Sequence, residues 1–261
     1  MKKVIVSAAL LIAVATQAQV SKITVGKKVQ IESTAKVTTK VSVMGQEMEM
    51  PMNMTMLIDL NAKAVEANTL NAGVTLKKVS GSMSMMGQET KFSSDDKKIA
   101  NNPQAADLLK NLNKEDEVLL EDGKVKSKAS IGTNGLPTNT EFAKMVFLTL
   151  AAENIKEGFK WTEEAAADGS KTNTIYTITK ITASEIEVTA TTNIKVEGTI
   201  QQMGMDMKQN LTGTMTSVRI YDVTTAILKG DASKLEMSGT ILVMGNEAPI
   251  SMTSISTTTV K

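Results

Sequence analysis

From Met48 to Leu60 an apolar residue recurs at every second position. Met48, Met50, Met52, Met54, Met56, Ile58 and Leu60 fall on one phase, and Glu47, Glu49, Asn53, Thr55 and Asp59 fall on the other. A period of two over a dozen residues predicts a strand with one face buried and one face wet. The preceding stretch, Lys27 to Val43, is rich in Val and Thr, which suit a pleated, half-buried surface. Met44-Gly45-Gln46 turns one run into the other. A second hairpin follows, with Val74 to Met85 leading into Met86-Gly87 and Glu89 to Ser93 returning. Pro51 sits on the polar phase and has no N–H to give, which predicts a sheet edge or a bulge there.

The two Met-Gly turns recur as Met203-Gly204 and Met244-Gly245, at offsets of 159 and 158 residues. The strands around them recur too: Asn173 to Lys180, Glu185 to Ile200, Met205 to Tyr221, Ala232 to Val243 and Ile250 to Val260. Glu117 to Leu120 and Lys124 to Ser130 read as a further hairpin about Asp122-Gly123. Two short helices are expected. One spans Gln104 to Leu112 after the start signal Asn101-Asn102-Pro103; the other runs from Phe142 to about Ala152 and packs between the halves. The fold class is mainly β (α+β at most): two similar curved antiparallel lobes related by internal duplication. The boundaries are residues 1–18 for a signal peptide, 19–130 for the first lobe, 131–160 for the loop and apolar helix, and 161–261 for the second lobe.

The signal-peptide reading rests on basic Met1-Lys2-Lys3, the apolar run Val4 to Ala15 and the small residues around Thr16-Gln17-Ala18, with Gln19 beginning the mature chain. The run is shorter than the roughly 20 residues needed to cross a bilayer, so the chain is expected to be exported but not membrane-spanning. The expected place is the periplasm, outer surface or exterior of a Gram-negative cell.

Composition narrows the chemistry. The chain has no cysteine, so the fold rests on burial and ladder hydrogen bonds. It has no histidine, which removes the commonest general base and metal ligand and argues against an enzyme. Its 29 basic and 28 acidic residues nearly cancel, and Arg219 is the one arginine, which argues against nucleic acid as a partner. No cofactor is expected, and the oligomeric state is open.

Eighteen methionines stand against four Phe, two Tyr and one Trp. The candidate site is therefore the apolar face of Met48, Met50, Met52, Met54 and Met56, with Met205 and Met207 from the second half. Methionine adapts to irregular space, so such a face can fill a core or wall a cavity for a lipid or hydrophobic peptide. Thioethers are also soft ligands, and copper or silver binding is the alternative reading, beside a purely structural envelope role. The acidic run Glu115 to Glu117 with Glu121-Asp122 lacks the spacing of a calcium loop and reads as a solvated hairpin. Trp161 reads as a core anchor. Seven aromatics cannot build the two girdles of an outer-membrane barrel.

One resemblance can be stated on short motifs. The N-terminal segment ending near Thr-Gln-Ala-Gln, the Gly-Leu-Pro loop, then Gly158-Phe159-Lys160-Trp161 and Ile175-Tyr176-Thr177-Ile178 resemble a family of secreted, two-lobed, β-rich proteins of unknown activity from Bacteroidetes. The lobes are also similar to the curved sheets of periplasmic lipoprotein carriers. The resemblance implies location and architecture, and assigns no residue a role.

Overall fold

The computed structural model describes residues 23–43, 45–66, 69–85, 87–96, 112–126, 138–167, 169–202, 205–243 and 245–261. The chain is mainly β: a nearly closed, barrel-like antiparallel sheet with one α-helix among the described residues. Its strands are β1 (Lys28–Val43), β2 (Gln46–Glu66), β3 (Thr69–Met85), β4 (Gln88–Ser93), β5 (Glu115–Glu121) and β6 (Lys124–Val125), then β7 (Lys160–Ala167), β8 (Ser170–Ile181), β9 (Glu185–Gln202), β10 (Met205–Asp222), β11 (Leu228–Val243) and β12 (Asn246–Val260). The helix α1 is Asn139–Val146. Across the sheet the order is β6-β5-β3-β2-β1-β12-β11-β10-β9-β8-β7, with β4 also on β3.

Duplication is visible in this order. Shifted by the offset of the Met-Gly turns, β1 to β4 fall on β9 to β12, and both sets are meanders laid down in the same direction across the sheet. The two sets stand side by side in one continuous sheet, joined where β1 pairs with β12 from Ile31↔Val260 to Val41↔Ile250. The register brings Val43↔Gln46, Met85↔Gln88, Gln202↔Met205 and Val243↔Asn246, the last pairs of four hairpins, to one end of the sheet. We call this end the rim. Gly45, Gly87 and Gly245 have φ near +80°, the region where a Cβ is unfavourable.

The opposite end, the base, holds the main core. Ile31, Ile58, Leu60, Leu70, Val74 and Leu120 line the inner face of the sheet and pack on Phe142, Val146 and Phe147 from α1 and its exit. The outer face carries the other phase, with Lys36, Lys195, Thr214, Glu236 and Thr253 exposed. This wall is suited to water, whereas a barrel set in lipid presents an apolar band outward.

The helix is shorter than the predicted span from Phe142 to about Ala152. A capping box of Thr138 with Glu141 fixes its start, and it ends at Val146, where Phe147 turns extended and pairs with Ile227. The apolar residues Phe147, Leu148 and Leu150 are buried without helical winding, so the hydrophobic run marked burial rather than helix. Pro51 lies opposite Thr38 on β1, just beyond Met52↔Met83, where the pairing of β2 with β3 begins. The strand is thus one-sided there, as the missing N–H requires. The signal peptide and the predicted helix at 104–112, all but Leu112, lie outside the described residues.

Candidate functional site

Alternation along β10 turns Leu211, Gly213, Met215, Ser217, Arg219 and Tyr221 inward, and along β11 it turns Asp231, Ser233, Leu235 and Met237 inward. The sole arginine therefore lies on an inner wall, in register with an aspartate, Arg219↔Asp231. Both are 8% exposed. Arg219 Nε lies 3.4 Å from Asp231 Oδ1, close enough for strong attraction, yet neither atom has a hydrogen-bond partner among the described residues. A buried donor and a buried acceptor left this way each forgo about 1–3 kcal/mol. Burial pushes the Asp231 carboxyl up more than Arg219 pulls it down. Burial likewise pushes the Tyr221 phenol up to about 12, against the guanidinium beside it.

Aromatic and charged groups continue from this pair. The Arg219 guanidinium lies 5.6 Å from the centre of the Tyr176 ring, and Lys144 Nζ of α1 lies 5.7 Å from it. Tyr176 stacks on Trp161 at 4.8 Å, and Trp161 on Phe159 at 6.0 Å. Trp161 is a core anchor, as its place after the apolar run implied. Lys144 Nζ pairs with Glu163 Oε2 of β7 at 2.6 Å, both largely buried. Burial works against the Lys144 charge, but Tyr176 and Glu163 outweigh it and hold its pKa above the usual lysine value. Glu141, the capping carboxyl of α1, is raised by burial.

Glu141, Lys144, Tyr176, Arg219 and Asp231 border a cavity of about 100 Å³ between α1 and the inner faces of β8 to β12. Such a volume holds several water-sized molecules. Its base is polar: Glu141 and Lys144 on the helix, Arg219 and Asp231 on the sheet. Hydroxyls ring the middle, some joined to one another, as in Thr174 with Thr192 at 2.9 Å and Ser233 with Ser256 at 2.6 Å. Ser217 Oγ is buried with no partner among the described residues. Towards the rim the wall becomes apolar, with Ile194, Met215, Leu235 and Met237. Polarity therefore falls along the axis from base to rim.

The predicted methionine face is divided by this arrangement. Met54 and Met56 are buried in the main core, and Met52 packs against it. Met50 packs on the small cluster of Val41, Ile241 and Ala248 near the rim. Met48, Met50 and Met52 are half-buried on the inner side. Met205 and Met207 pair with Gln202 and Ile200 across β10 and β9, and their side chains lie outside the described residues. The described cavity wall draws instead on Met145, Met215 and Met237. Sequence reasoning passed over Arg219 and Asp231 as site residues, although a signal was present: each is a charge on the apolar phase of an alternating strand. The acidic hairpin is engaged by lysines, with Glu117 2.7 Å from Lys63 and Glu121 2.8 Å from Lys126. Among the described residues no three His, Cys, Asp or Glu converge as metal ligands.

Comparison with known proteins adds fold and little more. A family model described as a family of unknown function (DUF6263) matches residues 128–228, a span holding α1, β7 to β10 and Arg219. No curated protein matches. Among solved structures the chain is similar to one described as lipid–protein interactions in lipovitellin, at 11% identity and a TM-score of 0.50, covering 92% of this chain. The chain spans about a quarter, 25%, of that lipovitellin chain. It also matches an outer membrane channel from Pseudomonas putida F1, at 11% identity and a TM-score of 0.43, covering 93% of this chain and 98% of the other. At such identity the lipovitellin likeness is one of fold alone.

Proposed function

We propose that this chain is a non-enzymatic binding protein that takes the polar end of an amphiphilic, lipid-like molecule into the sheet cavity, its chain lying along the inner face towards the rim. The observation that carries this reading is the polarity gradient of one partly enclosed space. A buried, incompletely bonded Arg219–Asp231 pair lies at its base, and Met215, Leu235 and Met237 lie above it. A molecule with a polar head and an apolar chain fits such a gradient in one orientation. The half-buried Met48, Met50 and Met52 lie farther round the same inner face and extend an adaptable apolar surface towards the rim.

Two further points support the reading. The described outer wall is largely polar while the apolar core lies on the inner side, the arrangement of a water-borne container rather than a lipid-facing barrel. The likeness in fold, at a TM-score of 0.50, to a structure described as lipid–protein interactions in lipovitellin is compatible with this reading. With the basic, apolar N-terminus read from the sequence, we place this activity in the envelope of a Gram-negative cell.

Native mass spectrometry of the protein purified from cells, before and after organic extraction, tests the reading. The expected result is a heavier species that loses a lipid-sized mass on extraction and then takes up the neutral fluorescent probe N-phenyl-1-naphthylamine. Protein at its bare mass that also ignores the probe overturns it.

A further inference from the structure

At the base of the cavity Arg219 Nε–H and Asp231 Oδ1 face each other as an ion pair 3.4 Å apart, and neither makes a hydrogen bond among the described residues. From this we propose that the buried end of the ligand is an uncharged hydroxyl, as in a fatty alcohol, a monoacylglycerol or a sterol. The inference rests on the cavity being the ligand site.

Geometry supports a hydroxyl. One oxygen can lie at hydrogen-bond distance from both atoms, accepting from Nε–H and donating its own proton to Oδ1. Ser217 Oγ, the next inward position on β10, is also buried without a hydrogen-bond partner among the described residues, and gives the same group a third neighbour. A carboxylate can accept but cannot donate, and it would stand against Asp231. An ammonium can donate but cannot accept, and it would stand against Arg219 and Lys144.

Charge points the same way. Arg219 faces Asp231, and Lys144 faces Glu163, so the two buried cations are already balanced. The remaining titratable groups packed around the pair are Glu141 on α1, Tyr176 on β8 and Tyr221 on β10. Burial raises the pKa of Glu141 and of Tyr221, favouring their uncharged forms. A charged head entering this site would lose its hydration without gaining a free counter-charge. A hydroxyl gives up far less on entry, and fills both open valences.

Three ligands with the same twelve-carbon chain separate the alternatives: dodecanol, dodecanoate and dodecylammonium. Dodecanol is titrated below its solubility limit and the two ions below their micelle concentrations, at pH 7, against protein loaded with N-phenyl-1-naphthylamine. Dodecanol should displace the probe at a concentration roughly ten-fold lower than either ion, the worth of one hydrogen bond to a charged group. Asp231→Asn, which leaves Arg219 without its counterion, should move the preference to dodecanoate, and Arg219→Gln should move it to dodecylammonium. Tightest binding of an ion by the unaltered protein, or equal binding of all three, overturns the hydroxyl assignment while leaving the cavity reading intact. Failure of the probe and of all three ligands to bind overturns the cavity reading, and this inference with it.

Discussion

Val125 of β6 donates its backbone N–H to Glu163 Oε1 of β7 at 2.9 Å. These are the two end strands of the sheet order, so one carboxylate stands where the ladder of a closed barrel would run. Its other oxygen holds Lys144 of α1, tying the helix to the same seam. Glu163→Gln should keep an acceptor for Val125 but strand the largely buried Lys144 charge, lowering the unfolding free energy by about 3 kcal/mol. Adding Lys144→Met should restore most of that loss. Urea denaturation of the three proteins measures it, and a double variant as unstable as the single one would show that charge is not the cause.

The Asp231 carboxyl gives stability a pH dependence of definite sign. Burial raises its pKa in the fold above the ordinary 3.8. A group that holds its proton more tightly when folded adds stability that is full below the unfolded value and is lost as pH rises through the folded one. Relative to Asp231→Asn, the unaltered protein should therefore gain stability as pH is lowered from 7 towards 4. Denaturation curves at several pH values give the difference; a flat or opposite trend sinks the assignment.

Ser217 marks the middle of the cavity wall, with a small side chain whose hydroxyl has no hydrogen-bond partner among the described residues. Ser217→Leu should fill the space, abolish probe uptake and leave stability unchanged or raise it by about 1 kcal/mol. Calorimetry alongside the probe titration distinguishes this from unfolding. Uptake by a folded Ser217→Leu protein would place the bound molecule elsewhere.

Two glycines with the same φ of +78° should respond differently to alanine. At Gly45 a Cβ meets open space, and Gly45→Ala should cost about 1 kcal/mol for the left-handed backbone alone. At Gly169 the added Cβ would run into the carbonyl of Glu197 on β9, so Gly169→Ala should cost several-fold more. Thermal melts of the pair test the contact, and equal losses would contradict it.

Much of the fold was legible in the chain because strand alternation and turn chemistry are local. Met48 to Leu60 declared its buried phase, the four Met-Gly turns declared hairpins, and Asp122-Gly123 declared a further one. The Phe142 run was misread in extent because an apolar stretch signals burial in a helix or an extended segment alike, and only the bridge from Phe147 to Ile227 decided where winding stopped. The candidate site was hardly legible. Arg219 and Asp231 could be seen as charges on inward phases, but Lys144, Glu163 and Tyr176 come from three other elements. The sequence by itself determined which residues alternate, where the chain turns and that the plan is used twice, since each depends on neighbours along the chain. Only the tertiary structure decided that the first strand lies beside the last and that the sheet curls round α1. Bringing the lone arginine, the aspartate and the helix lysine around one cavity also required it, because closure brings together positions whose encounter no local pattern encodes.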